Sequence, residues 1–426
     1  MGSIDATSWP VVGLAIVIWL IFVLALVRRV RVSASLVSLR LVVWSLTLLS
    51  ALVLVLESTG KMPDVPSWFE MLAVLPIVGI AIGIVGGKRL RATGMIGAAV
   101  CVVLGLVAAI LIANEHYAYW PTIDALLGKE YVDPVMASST MENLLAVRPI
   151  SSSIPRPAMS TARNDHGTLI PLDIPGPTSG FRARKALIWV PPAFLRDPDH
   201  PRPVVEFVGG TPSWPSDWTR AGGLDVLADR YARIHDGEAP ILVMVDANGS
   251  AFGDTECVDS QRGNAESYLV TDVPRFMSQH FSTSSQWAIA GYSEGGTCAL
   301  TLALRHPDRF RSFVDLAGDA GPNLGSTRHT IRALFGGSRA RWTAYDPESI
   351  IRSGRVDGVE GWIAAGNGDL EHRRCAERLT AAARDHGLPI RFHGARGGHD
   401  FRFVHRALTD AVPWLFDTVG SPSTTT

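Results

Sequence analysis

The distribution of apolar residues divides the chain in two. In the first third, four long uncharged runs stand between short polar stretches: Pro10–Val27, Leu41–Leu56, Met71–Gly87 and Thr93–Ala113. From about Thr168 the apolar runs shorten and alternate with stretches of helical periodicity. A hydrocarbon core about 30 Å thick takes roughly 17–25 apolar residues at helical rise. The first and last runs meet that length outright. The second meets it by starting near Leu36 with Arg40 snorkelling, and the third carries Pro76 and several glycines, which membrane helices tolerate. Residues 1–114 are therefore predicted to form an all-α four-helix transmembrane domain.

Residues 168–419 are predicted to form an α/β fold with a mainly parallel sheet, because short apolar strands alternate with helices there. The expected strands are Ala186–Val190, Val204–Val208, Ile241–Asp246, Trp287–Ala290, Ser312–Leu316, Gly361–Ala365 and Ile390–His393. Helices are expected over Gly223–His235, Gly295–His306, Glu371–His386 and Phe403–Phe416. Between the two parts, residues 115–167 read as a linker. It opens with Tyr117, Tyr119 and Trp120, suited to a membrane interface, and goes on rich in Ser, Pro and Ala. Residues 420–426 read as a disordered tail.

Charge adds an orientation. Arg28, Arg29, Arg31 and Arg40 separate the first two runs, and Lys88, Arg89 and Arg91 separate the last two. The middle loop has one basic residue, Lys61, against Glu57, Asp64 and Glu70, and nothing basic precedes Pro10. The positive-inside rule then puts both Arg-rich loops in the cytoplasm, and both termini and the C-terminal domain outside. Met1–Trp9 has no basic n-region, so a cleaved signal peptide is not expected. A net charge of -1 gives no footing for nucleic acid. The 12 histidines and four cysteines show no paired ligand spacing, so neither metal nor cofactor is expected. An extracytoplasmic location permits a disulfide; Cys257–Cys298 is the expected pair, with a free buried Cys298 as the alternative.

The chemistry concentrates at strand ends, where open α/β sheets bind ligands. Gly291-Tyr292-Ser293-Glu294-Gly295-Gly296 follows an apolar strand and opens a helix, the context in which G-x-S-x-G exposes a nucleophilic serine on a strained turn. Val208-Gly209-Gly210-Thr211 ends an earlier strand. Its glycines let the backbone approach a substrate, so the N–H of Thr211, or alternatively Gly210, pairs with that of Glu294 as an oxyanion hole. Gly366-Asn367-Gly368-Asp369-Leu370-Glu371 offers two carboxylates past a strand end: Asp369, nearer the strand, and Glu371 as the alternative triad acid. Either could instead cap the helix that follows. Gly397-Gly398-His399-Asp400 supplies a histidine in the Ser–acid–His order, ahead of His393 and His405 as candidates. Trp214, Trp218 and Phe252 lie near the expected pocket as candidate walls of an apolar acyl site.

With these motifs in this order, the segment from Ser179 to Phe416 resembles the esterase D-like α/β-hydrolases, a group that includes the actinobacterial mycoloyltransferases. The resemblance implies an α/β-hydrolase fold and a Ser293-His399-Asp369 triad working through an acyl-enzyme. Ala365-Gly366-Asn367-Gly368 looks like the mycoloyltransferase segment that precedes a glutamate acid, which keeps Glu371 open. Two features depart from the secreted transferases: Glu294 stands where an apolar residue is usual, and the N-terminal runs have no counterpart. The overall form looks like membrane-anchored esterase-family proteins of actinobacteria. The function expected is an extracytoplasmic, membrane-embedded serine esterase acting on lipid or cell-envelope acyl esters. The alternatives are an acyltransferase passing the acyl group to a sugar or lipid hydroxyl, and a non-catalytic envelope-binding scaffold.

Overall fold

A computed structural model describes residues 9–30, 92–126 and 166–420. The chain divides into two compact units, Met1–Glu130 and Tyr131–Thr426. In the first, the opening apolar run lies within helix α1 (Trp9–Val30), which packs on helix α2 (Ala92–Tyr117) holding the last run. Among the described residues one segment, Ala99–Tyr117, is long and apolar enough to cross a membrane. The two middle runs lie outside the described residues, so a four-helix domain is not what the structure shows. At the end of α2 the buried Asn114 side chain bonds the Trp120 backbone twice: Nδ2 donates to the carbonyl at 2.7 Å and Oδ1 accepts from the N–H at 2.7 Å. Those bonds hold the aromatic segment against the helix end.

The second unit is built on an eight-stranded sheet of order β1-β2-β4-β3-β7-β8-β9-β10. The strands are β1 (Thr168–Leu172), β2 (Ala186–Val190), β3 (Arg202–Val208), β4 (Ile241–Val245), β7 (Thr283–Tyr292), β8 (Phe310–Leu316), β9 (Glu360–Gly366) and β10 (Ile390–Ala395). A small hairpin, β5 (Asp259–Ser260) and β6 (Gly263–Asn264), stands apart from it. Strands β4, β3, β7, β8, β9 and β10 are parallel, and β1 and β2 join antiparallel at one edge. The parallel core reads as near-continuous apolar sequence because both faces are covered; Ile241–Val245 is buried at every position.

Helices α3 (Leu224–Ile234) and α9 (Phe401–Gly420) pack together, and α9 lies along β3, β7 and β8. The other face carries α4 (Val273–His280), α5 (Glu294–Arg305), α7 (Pro347–Arg352) and α8 (Leu370–Asp385), whose buried side chains share one core with Val204, Val208 and Ile289. Helix α6 (Thr327–Phe335) belongs to a smaller cluster with Val258 and Leu324. All seven expected strands are present, most with ends shifted by one to four residues, and two differences stand out. β1 was not expected, and β7 begins at Thr283, where Arg202 of β3 recruits the polar stretch Thr283–Gln286 into the ladder.

Candidate active site

Strand β7 ends in a turn that its flanking glycines permit. Ser293 has φ 58° and ψ -126°, a conformation that costs a non-glycine residue of order 1–3 kcal/mol. Its N–H donates to the Leu316 carbonyl at 2.9 Å, fixing the turn to β8. A Cβ on Gly291 would stand 1.8 Å from the Gly295 carbonyl oxygen, and one on Gly295 would stand 2.0 Å from that of Val208. The G-x-S-x-G spacing therefore follows from how tightly α5 departs over the strand ends. Helix α5 begins at Glu294, which places the positive end of its dipole beside the serine.

The loops after β9 and β10 bring the other two groups to Ser293. Gly368 N–H donates to the Gly397 carbonyl at 2.9 Å and Asn367 N–H to that of Ala395 at 2.8 Å, which ties the two loops together. Asp400 braces the second loop, accepting from Gly398 N–H at 2.8 Å and Phe403 N–H at 2.9 Å. His399 Nε2 then lies 2.9 Å from Ser293 Oγ, and His399 Nδ1 lies 2.9 Å from Asp369 Oδ2. The Tyr292 ring faces the imidazole with centroids 5.0 Å apart.

Asp369 has two tasks. As the N-cap of α8, its Oδ1 accepts from His372 N–H at 3.3 Å, while its other oxygen meets His399. Glu371 is exposed on the first turn of α8. Of the other histidine candidates, His393 stacks on Trp362 at 3.4 Å between centroids, and His405 Nδ1 bonds the Gly222 carbonyl at 2.9 Å.

His372 went unnoticed in the sequence. It is buried, its Nδ1 lies 2.8 Å from Asp369 Oδ1, and its ring stacks on His399 at 4.4 Å. Its position three residues into a helix capped by the acid is the one signal that pointed to it, since i and i+3 side chains share a face. The carboxyl of Asp369 is held well below the usual carboxylate range: burial alone would raise it, but hydrogen bonds from His372 and His399 outweigh burial. Asp369 stays charged through the neutral range, as a group orienting an imidazole must. His372→Ala is expected to lower turnover about tenfold, because the Asp369 carboxyl loses one of the bonds that hold it in place beside His399. Ester-hydrolysis rates on the variant, with circular dichroism to show that it folds, check this; an unchanged rate would leave His372 a purely structural histidine.

The glycine loop lies against the serine from the other side. A Cβ on Gly210 would stand 2.8 Å from Ser293 Cβ and 2.9 Å from the Tyr292 carbonyl oxygen. Thr211 Oγ1 bonds the Gly253 carbonyl at 2.7 Å and also the Glu294 carboxyl. Asn248, after β4, adds Nδ2 to Glu294 Oε2 at 2.8 Å and to Thr211 Oγ1 at 3.1 Å. Sequence reading missed Asn248 because nothing in a loop marks which partner it will find. A disulfide joins Cys257 to Cys298, tying the loop after β4 to α5.

The three aromatic candidates separate. Trp214 is 40% exposed and Phe252 80% exposed, on loops joined by the Ser213 N–H to the Ala251 carbonyl at 3.2 Å. Trp218 is buried edge-on against Phe207 on the inner face of the short helix Asp217–Arg220, so its expected place on an open pocket wall is corrected.

Sheet order, strand-end loops and a serine–imidazole–carboxylate chain together define an α/β-hydrolase-like protein. The Esterase family model matches residues 181–415, and the chain belongs to that family. A protein of Corynebacterium glutamicum described as uncharacterized is 30% identical, covering 97% of this chain and 96% of its own. The S-formylglutathione hydrolase of Rattus norvegicus is 25% identical over 34% of this chain and 54% of its own length. In structure, an S-formylglutathione hydrolase from Agrobacterium tumefaciens matches with TM-score 0.51 and 20% identity, over 64% of this chain and 99% of its own. A ferulic acid esterase matches with TM-score 0.50 and 21% identity, over 60% of this chain and 100% of its own. The family match makes the chain an Esterase-family protein, and the two solved structures share its α/β fold.

Proposed function

We propose that this protein is a serine carboxylic-ester hydrolase held at a membrane, and that Ser293, His399 and Asp369 are its catalytic triad. One observation carries the reading: a continuous line of short contacts runs from Ser293 Oγ through both nitrogens of His399 to Asp369. Ser293 Oγ attacks the ester carbonyl carbon as His399 Nε2 takes its proton, and the carbonyl electrons move onto oxygen. N–H groups of Glu294 and Thr211 receive that oxyanion, with Gly210 the alternative to Thr211; the helix end and the Gly210 contact favour this side. Nε2 returns the proton to the departing alcohol, and water repeats the sequence to free the acid.

The apolar side chains of Trp214 and Phe252 beside this mouth suit an acyl chain, so lipid or cell-envelope esters are the substrate class. The apolar segment Ala99–Tyr117, with Val103, Leu106, Val107 and Ile110 exposed, supports anchoring, and the arginine loops support an extracytoplasmic catalytic unit. A fluorophosphonate probe should label the wild type and leave Ser293→Ala unlabelled; failure to label either would favour the scaffold reading. With a labelled acyl donor, product should appear as free acid, and acyl product appearing only on an added sugar or lipid acceptor would replace hydrolysis by transfer.

A further inference from the structure

The carboxyl that follows the nucleophile can be followed proton by proton. Thr211 Oγ1 has one hydrogen. Its neighbour at 2.7 Å is the Gly253 carbonyl, which can only accept, so that hydrogen is committed. Asn248 Nδ2, 3.1 Å away, donates toward the same hydroxyl. The remaining bond, between Thr211 Oγ1 and Glu294 Oε2, then needs its hydrogen from the carboxyl. The rest of the network agrees with an O–H on Oε2. That oxygen also accepts from Asn248 Nδ2 at 2.8 Å, and Oε1 accepts from Glu256 N–H at 3.1 Å.

We infer that Glu294 works as a neutral carboxylic acid, a positioning residue whose O–H holds the Thr211 loop beside Ser293, so that losing the proton frees the loop and shuts the site on the alkaline side. The inference rests on the reading of Ser293 and the oxyanion loop given above. It deepens that reading with a pH device peculiar to a chain carrying glutamate here. Neutrality matters twice. An ionised carboxylate would oppose the oxyanion forming next to it, and it would leave two acceptors facing each other at Thr211.

The charged groups around Glu294 are Asp254 and Glu256 on the loop after β4, Asp319 after β8, and Arg262 beside Asp254. His399, after β10, reaches the preceding residue. Enclosure by protein, then the charge of Asp254, push the Glu294 carboxyl up to about 8, against the donations from Asn248 Nδ2 and Glu256 N–H, which favour its ionised form. The proton is present below that value and lost as pH rises through it.

The test uses the full chain in detergent or nanodiscs. Rates of p-nitrophenyl ester hydrolysis and of fluorophosphonate labelling are read at about pH 7.5 and pH 9.5 for wild type and Glu294→Gln, whose amide keeps a donor at all pH values. The wild-type rate should fall between the two pH values by about fourfold or more relative to the variant's, whatever the absolute rates. An equal fall in both proteins, or a wild-type rate that does not fall, would overturn the inference. Infrared difference spectra supply a second reading that needs no turnover. One protonated-carboxyl component, apart from those of other buried carboxyls such as Asp315, should vanish as pH rises in wild type and be missing in Glu294→Gln. If no ester is turned over but this band behaves so, the proposed activity fails while the proton on Glu294 stands. Should Glu294→Gln not fold, Thr211→Val removes the hydroxyl that takes the proton. The band should then shift in frequency, and an unmoved band overturns the inference.

Discussion

Replacing Asp369 by asparagine is expected to lower ester hydrolysis about 10⁴-fold with the fold intact. The carboxylate gives His399 Nδ1 an acceptor at 2.9 Å, which leaves Nε2 free to take the serine proton. An amide of the same shape can turn its NH₂ toward Nδ1 and stabilise the wrong tautomer, and it cannot balance the imidazolium charge. His372 sharpens the prediction. Its Nδ1 also points at Asp369, so the amide must satisfy two imidazoles with a single oxygen. Rates measured with a chromogenic ester, alongside circular dichroism, decide it. Glu371→Gln is the internal control: that side chain is exposed on α8 and should leave the rate within about twofold. A large loss in Glu371→Gln with little loss in Asp369→Asn would exchange the two acids and undo the proposed triad.

Removing the disulfide between Cys257 and Cys298 is expected to cost about 4 kcal/mol of stability by loop-closure entropy, given a sequence separation of 41. Both sulfurs are buried, so Cys257→Ala with Cys298→Ala leaves no unpaired polar group. Denaturant melts of the double variant against wild type, in the absence of reductant, give the difference. A local effect should come with it. Glu256, whose N–H reaches Glu294 Oε1 at 3.1 Å, immediately precedes Cys257, so the bridge also holds the loop that supports the nucleophile's neighbour. Activity should therefore decline at denaturant concentrations below global unfolding. Melts that coincide with wild type within about 0.5 kcal/mol would remove the bridge from any stabilising role.

Much of the fold could be read along the chain because its signals are local. Runs such as Ile241–Val245 are apolar at every position, as a strand covered on both faces must be. Gly291, Gly295 and Ser293 mark their turn by residue type alone, since any larger residue at either glycine collides with backbone. The edge strand Thr168–Leu172 was missed because an antiparallel edge has only β2 to define it, and its five residues carry a proline. The start of β7 at Thr283 was missed because polar residues there are drafted by a neighbour's ladder. The two middle apolar runs lie outside the described residues, among which Ala99–Tyr117 is the one segment long and apolar enough to span, so the expectation of four spans is not supported.

The sequence by itself determined the parallel α/β unit, the strained serine turn and the order serine, acid, histidine, because each depends on residue type and short-range spacing. Tertiary structure decided which acid faces His399, that His372 shares it, that Trp218 turns inward, and that Thr211, Asn248 and Glu256 converge on Glu294. Those relations cross up to 83 residues of chain for Thr211 and Glu294, and 30 for Asp369 and His399. Contacts at such separations are set by how strand ends align across the sheet, and no single stretch of sequence carries that alignment.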